Sequence, residues 1–175
     1  FYDITAVSFQ DRLWVICGWL WWSSDGTSWT QVAGVSFPGG PKAVVCDGKI
    51  WVMGGCDTFF GDAYREVWYS SDGIQWKQAT SSAPWPGREA HALVVHDNKM
   101  WLMGGIYPGW KGVGAYEMND VWYSVAPPPP TRATSWRLYS NAWNAFDAAK
   151  PALLSALLPC YPRVLLSQDR DLVRR

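Results

Sequence analysis

The chain has 175 residues, 49% of them hydrophobic and 17% charged, enough for a sizeable core and far from the composition of a disordered chain. Lys+Arg 15 against Asp+Glu 15 gives no net charge, which argues against a nucleic acid or an acidic membrane found by bulk electrostatics. No apolar run is long enough for a transmembrane helix, so membrane insertion is not expected.

Ile4 to Phe9 and Arg12 to Ile16 read as two short strands around Gln10-Asp11. After Cys17-Gly18, Leu20 to Ser23 is a third strand, Asp25-Gly26 a turn, and Ser28 to Val32 a fourth. Asp-Gly between β-prone runs is a strong hairpin signal, because a type I′ turn needs positive φ at both central residues. The unit then recurs. Ala43 to Cys46, the Asp47-Gly48 turn and Ile50 to Met53 lead to Gly54-Gly55 and a loop, Cys56 to Glu66. Val67 to Ser70, Asp72-Gly73 and Gln75 to Gln78 complete it. Trp-Tyr-Ser-Ser-Asp-Gly-x-x-Trp at 68–76 repeats Trp-Trp-Ser-Ser-Asp-Gly-x-x-Trp at 21–29, so the repeat is internal and real.

A Pro/Gly-rich connector, Ser81 to Gly87, precedes the third unit. Ala90 to Val95, the Asp97-Asn98 turn and Met100 to Met103 end at Gly104-Gly105. A longer loop, Ile106 to Asp120, then reaches Val121 to Ser124. Here the pattern breaks at Pro127 to Pro130, and Thr134-Ser135-Trp136 marks a fourth strand beyond the insertion. The expected division is three units at about 1–35, 36–85 and 86–140, followed by a C-terminal tail, 141–175. In the tail Pro151 to Leu158 has the makings of two helical turns, or the segment is a poorly ordered or unrelated extension.

Strand one of each unit is apolar almost throughout, as in a strand buried on both faces. Strand two alternates, with Ile50 and Val52 on one side and Trp51 and Met53 on the other. Each sheet should therefore pack on the unit before it and the unit after it. The 14 tryptophans, several at repeated positions, suit such packing.

These residues resemble kelch-type β-propeller repeats. The third unit carries the signature most fully: Arg88-x-x-His91, the Asp97-x-Lys99 turn, Gly104-Gly105, Asn119-Asp120-Val121-Trp122 and Trp136. The second unit has Pro38 and Pro41 where Arg and His stand, and the first keeps only Gly18 of the glycine pair. The resemblance covers about residues 3 to 138. It implies an all-β fold of three four-stranded antiparallel meanders, of the kind in the kelch-like central domain of galactose oxidase. Three blades fall short of a ring, so the remaining blades are expected to lie outside this chain. An open arc paired with another chain is the alternative.

Function is expected in the loops. Cys56 to Glu66 carries Phe59, Tyr64 and Arg65, and Ile106 to Asp120 carries Tyr107, Trp110, Lys111 and Tyr116. Aromatics with adjacent charges suit a protein or glycan partner, although the same rings could fold back over their own blades. Arg88 and His91 read as a structural pair at the blade entrance first and as site residues second. Asp25 and Asp72 belong to turns, where they should accept local backbone N–H groups. The sequence shows no Ser/His/Asp or Cys/His constellation and no phosphate loop, so catalytic residues and cofactors are not assigned. His91 and His96 face opposite sides of a strand, and Cys17, Cys46, Cys56 and Cys160 form no metal-spaced cluster, so no metal centre is expected. A binding scaffold is the first reading. The resemblance also implies an alternative, part of a kelch-like enzyme acting on sugars, such as a sialic-acid mutarotase or a sugar oxidase.

Overall fold

The structure, a computed structural model, describes residues 4–57, 62–109, 114–125 and 136–138. The tail and the proline insertion expected from the sequence lie outside the described residues, apart from the strand that follows the insertion.

Three four-stranded antiparallel sheets follow one another along the chain. The first is β1 (Thr5–Phe9), β2 (Arg12–Ile16), β3 (Trp19–Ser23) and β4 (Thr30–Ser36). The second is β5 (Lys42–Cys46), β6 (Lys49–Met53), β7 (Val67–Ser70) and β8 (Lys77–Thr80). In the third, β9 (Ala92–His96) and β10 (Lys99–Met103) are followed by a small two-stranded hairpin, β11 (Ile106–Tyr107) and β12 (Tyr116–Glu117). Then β13 (Val121–Ser124) and β14 (Trp136–Leu138) complete the sheet, so the fourth strand does persist beyond the prolines. Among the described residues there is no helix.

The hairpins between strands one and two are closed by Gln10-Asp11, Asp47-Gly48 and Asp97-Asn98, each with φ near +50° to +64° at both residues. That is the type I′ geometry, whose twist matches the strands it joins. Beside each turn the strand-two tryptophan folds back. Trp14, Trp51 and Trp101 donate their indole N–H to the carbonyls of Phe9, Cys46 and His96, at 3.0, 3.1 and 3.1 Å. One hydrogen bond thus settles the polar edge of a ring that otherwise buries apolar surface.

The turns after strand three differ from the expected type I′ form, although Asp25 and Asp72 accept local backbone N–H groups as expected. Asp25 and Asp72 do not take positive φ; only Gly26 and Gly73 do, both at +75°. A side-chain cap replaces the tight turn. Asp25 Oδ1 accepts the backbone N–H of Thr27 and Ser28, and Asp72 Oδ1 those of Ile74 and Gln75. Ser23 and Ser70 add their hydroxyls beneath, accepting the N–H of Gly26 and Gly73. The wider loop consumes Trp29 and Trp76, and strand four begins later than the sequence suggests, at Thr30 and Lys77.

Strand-two alternation decides the layering. Ile50 and Val52 pack with Trp14, Ile16 and Leu20 of the first sheet. Trp51 and Met53 pack with Met100 and Leu102 of the third, joined by Trp85 from the connector and by Trp136. Trp14, Trp51 and Trp85 are essentially inaccessible. Each such indole removes roughly 200 Å² from water, on the order of 5 kcal/mol of transfer free energy before entropy is counted. The innermost strands neighbour one another in sequence, β1 beside β5 and β5 beside β9.

Burial of strand one on both faces holds only in the middle sheet. In β5 Ala43 and Val44 are buried, whereas in β9 Val94 and Val95 are exposed. Only β5 lies between two sheets among the described residues, so apolarity alone overstated the burial of the other two.

Candidate functional site at the loop end of the blades

An antiparallel meander sends the 1–2 and 3–4 turns to one end of each sheet and the 2–3 loops and inter-sheet connectors to the other. Among the described residues, the second end gathers those of 56–57 and 62–66, those of 106–109 and 114–120, and the connector through Arg88 and His91.

Each long loop is pinned where it leaves the sheet. Cys56 exchanges two backbone hydrogen bonds with Gly39, and Ile106 exchanges two with Glu89. The loops are tied again at their returns, through Tyr64 N–H to Gly55 O and Met118 N–H to Gly105 O, both 2.8 Å. Gly55 N–H also reaches Arg88 O of the next sheet at 2.9 Å. A side chain on Gly54 would run into the His91 ring, so the glycine pair is where one sheet's loop and the next sheet's entrance meet. In the first sheet Cys17 holds the place of Gly54, and Pro41 stands in the second unit where His91 stands in the third.

Arg88 is fully buried. It forms a bidentate pair with Asp120 at 2.5 and 2.7 Å, and also donates to Gly104 O and Pro86 O. Asp120 accepts the Trp122 indole as well, at 2.7 Å. Burial works to raise the Asp120 carboxyl, but the hydrogen bonds from Arg88 and Trp122 outweigh it and hold it below its ordinary value. In the second sheet Glu66 takes the Trp68 indole in the same way, at 2.8 Å. Pro38 stands where Arg88 would be, so that carboxylate lacks the guanidinium. His91 is buried beside Arg88, while His96 is exposed.

The expected loop residues divide. Tyr107 and Tyr116 come together on the β11–β12 hairpin, cross-strand neighbours whose rings stack at 5.3 Å and 22°. Tyr116 keeps 53% of its surface exposed. Tyr64 is half-buried, with burial raising its phenol, and Arg65 is exposed while its carbonyl accepts Ala83 N–H. Phe59, Trp110 and Lys111 lie outside the described residues.

A contact unforeseen from the sequence joins the two loop systems. The Cys56 thiol donates to Glu89 Oε2 at 2.6 Å. Burial, and then that carboxylate, push the thiol up to about 12, so it stays protonated and is a poor nucleophile. The two residues are 33 apart in sequence, and only the 50-residue offset between units two and three, which sets Cys56 against Ile106 and Gly39 against Glu89, hinted at it. Among the described residues no three His, Cys, Asp or Glu gather as metal ligands.

Successive four-stranded meanders, layered face to face with their first strands adjacent, define a β-propeller-like blade array. The solved structure of YjhT shares it: the match covers 81% of this chain and 52% of that one, with a TM-score of 0.60 and 14% identity. The chain therefore spans about half the length of that structure, and at this identity the likeness concerns the fold. No family model matches the sequence, and no curated protein does.

Proposed function

We propose that the chain is a kelch-type set of propeller blades that binds a protein or glycan partner through the loop end, with the Tyr107–Tyr116 hairpin as its contact. The observation that carries this is the stacked tyrosine pair, exposed at Tyr116 and held on a hairpin that backbone hydrogen bonds fasten to the blade. Ring faces with little rotamer freedom, displayed on a fixed base, bind at low entropic cost. Arg65 and Glu117, both exposed at the same end, add charge of each sign. The burial of Arg88 in its pair with Asp120 favours this role over an enzymatic one that would use that guanidinium.

The test is a glycan array and a panel of immobilised proteins probed with the wild type, Tyr107→Ala and Tyr116→Ala. Both substitutions should weaken the selected ligand about tenfold or more, with the unfolding midpoint of Tyr116→Ala unchanged. Binding indifferent to both would overturn the proposal.

A further inference from the structure

The joint between the first two blades is not filled along its outer rim. A groove of about 410 Å³ lies there, between residues 33–36 of β4 with Phe37 and the side chains of Trp68, Ile74 and Trp76 from the second blade. That size falls within the range of small-molecule sites. The β4 wall is irregular. Trp21 pairs with Gln31 and Trp19 with Ser36, so residues 32–35 stand opposite Leu20 alone. The matching step of the second blade leaves over only Ala79. Val32 turns into the core, while Ala33 and Gly34 are exposed. Gly34 has a φ of +74°, and a β-carbon on it would meet nothing within 4 Å. A bulge releases backbone groups from the ladder, and a glycine within it lets another molecule approach them closely.

The rest of the lining is aromatic. Phe37 meets Trp76 edge to face, with centroids 5.0 Å apart, and Trp68 and Trp76 are both half-buried. Their indole N–H groups are already committed, to Glu66 Oε2 and to Gly73 O, so these rings offer faces and not donors. The second joint makes the same contact with larger parts. Trp85, which precedes Pro86 as Phe37 precedes Pro38, meets Trp136 edge to face, and both rings are buried. With a phenyl ring in place of that indole, the pair at the first joint stays half-buried beside an open groove. None of the side chains lining the groove carries a charge, and Ser36 supplies a hydroxyl.

We infer that this groove binds a neutral hexopyranose. A pyranose is compact and uncharged, with a C–H face that suits an indole face and a rim of hydroxyls that suits Ser36 and the backbone groups of the bulge. The absence of charge from the lining selects against sugar acids, whose carboxylate would find no cation there. The bulge also selects against an extended peptide, because strand addition needs a regular row of donors and acceptors along the edge. The groove shares no lining residue with the Tyr107–Tyr116 hairpin, so the inference does not rest on the loop-end reading.

The test is saturation-transfer NMR on the full chain with methyl β-glucopyranoside and methyl β-galactopyranoside, irradiating the aromatic protons of the protein. Transfer should reach the ring C–H protons of at least one glycoside. Trp76→Leu, which removes a ring face, and Ala33→Leu, which narrows the groove, should each weaken binding about tenfold or more. Ala33 is exposed, so its variant should keep the wild-type unfolding midpoint, and it decides the matter if Trp76→Leu does not fold. Glucuronate should bind more weakly than the neutral glycosides, and a short peptide of alternating Thr and Val should not bind. No transfer to either glycoside, or binding indifferent to both substitutions, would overturn the inference. So would glucuronate or the peptide binding in preference to the neutral glycosides. Transfer lost only in Tyr116→Ala would overturn it as well, by assigning the sugar to the loop end.

Discussion

The ring of Trp14 lies directly against Gly73, so one blade's deepest side chain is capped by the backbone of its neighbour's turn. The ring is thereby sealed from above as well as from the sides. The glycine answers two demands at once, a φ of +75° and the absence of a side chain.

Gly73→Ala should therefore be much worse than Gly26→Ala. Both incur the left-handed backbone cost, about 1–2 kcal/mol, but only at residue 73 must an indole also move, adding roughly 1–3 kcal/mol of overpacking. Urea unfolding of the two variants reads the difference directly. Equal losses would mean that the φ requirement alone explains Gly73.

Removing the Asp120 charge should uncover a buried guanidinium. Asp120→Asn keeps the shape and strands Arg88, for which a loss of about 3 kcal/mol is expected at neutral pH. Arg88→Lys should also destabilise, since a point charge does not replace a bidentate fork.

The acid limb of stability follows from the carboxylates held below their ordinary values. Asp72 is lowered chiefly by the backbone N–H of Gln75, against some opposing burial, and Asp120 by Arg88 and Trp122 against a larger one. A carboxyl whose folded-state value is depressed adds stability that is complete above its unfolded value, near 4. That contribution is lost as pH falls through the lower folded value. The denaturation midpoint should thus fall steadily from about pH 4 downward, and Asp72→Asn or Asp120→Asn should start lower and slope less. A parallel slope in both variants would place the acid sensitivity elsewhere.

The Cys56 thiol should resist alkylation in the folded protein. It is buried, donates to Glu89 and is pushed up to about 12, so at mildly alkaline pH it holds almost no thiolate. Peptide mapping after brief iodoacetamide treatment should find Cys56 unmodified and Cys17, which is only half-buried, modified. Glu89→Gln, which removes the negative charge but not the burial, should raise Cys56 labelling modestly. Fast labelling of Cys56 in the wild type would show that the loop opens readily.

Much of the architecture is legible in the residues because strand two obeys a strict period. With Ile50 and Val52 opposed to Trp51 and Met53, the two faces and the two neighbours follow. What escaped the sequence depends on partners it cannot bring together. Ser23 and Ser70 convert an apparent Asp-Gly hairpin into a capped loop, which moves the start of strand four past Trp29 and Trp76. Arg88 finds Asp120 across 32 residues, and Cys56 finds Glu89 across a blade boundary. The pairing of Tyr107 with Tyr116 is also tertiary, since nothing local tells a loop aromatic from one that stacks on a returning strand. Apolar β9 looked buried because its composition matches β5, but composition does not report whether a neighbouring sheet is present.

The two-bond clasps of Cys56 on Gly39 and of Ile106 on Glu89 separate the loops mechanically from the sheets that carry them. Chain inserted beyond a clasp transmits little strain inward, and lengthening a loop costs free energy only logarithmically. The first blade, which passes from Gly18 straight into β3, shows the sheet formed with almost no loop at all. Position by position, then, the scaffold offers docking points for foreign segments: a peptide spliced between residues 106 and 118 should be displayed without renegotiating the core beneath it.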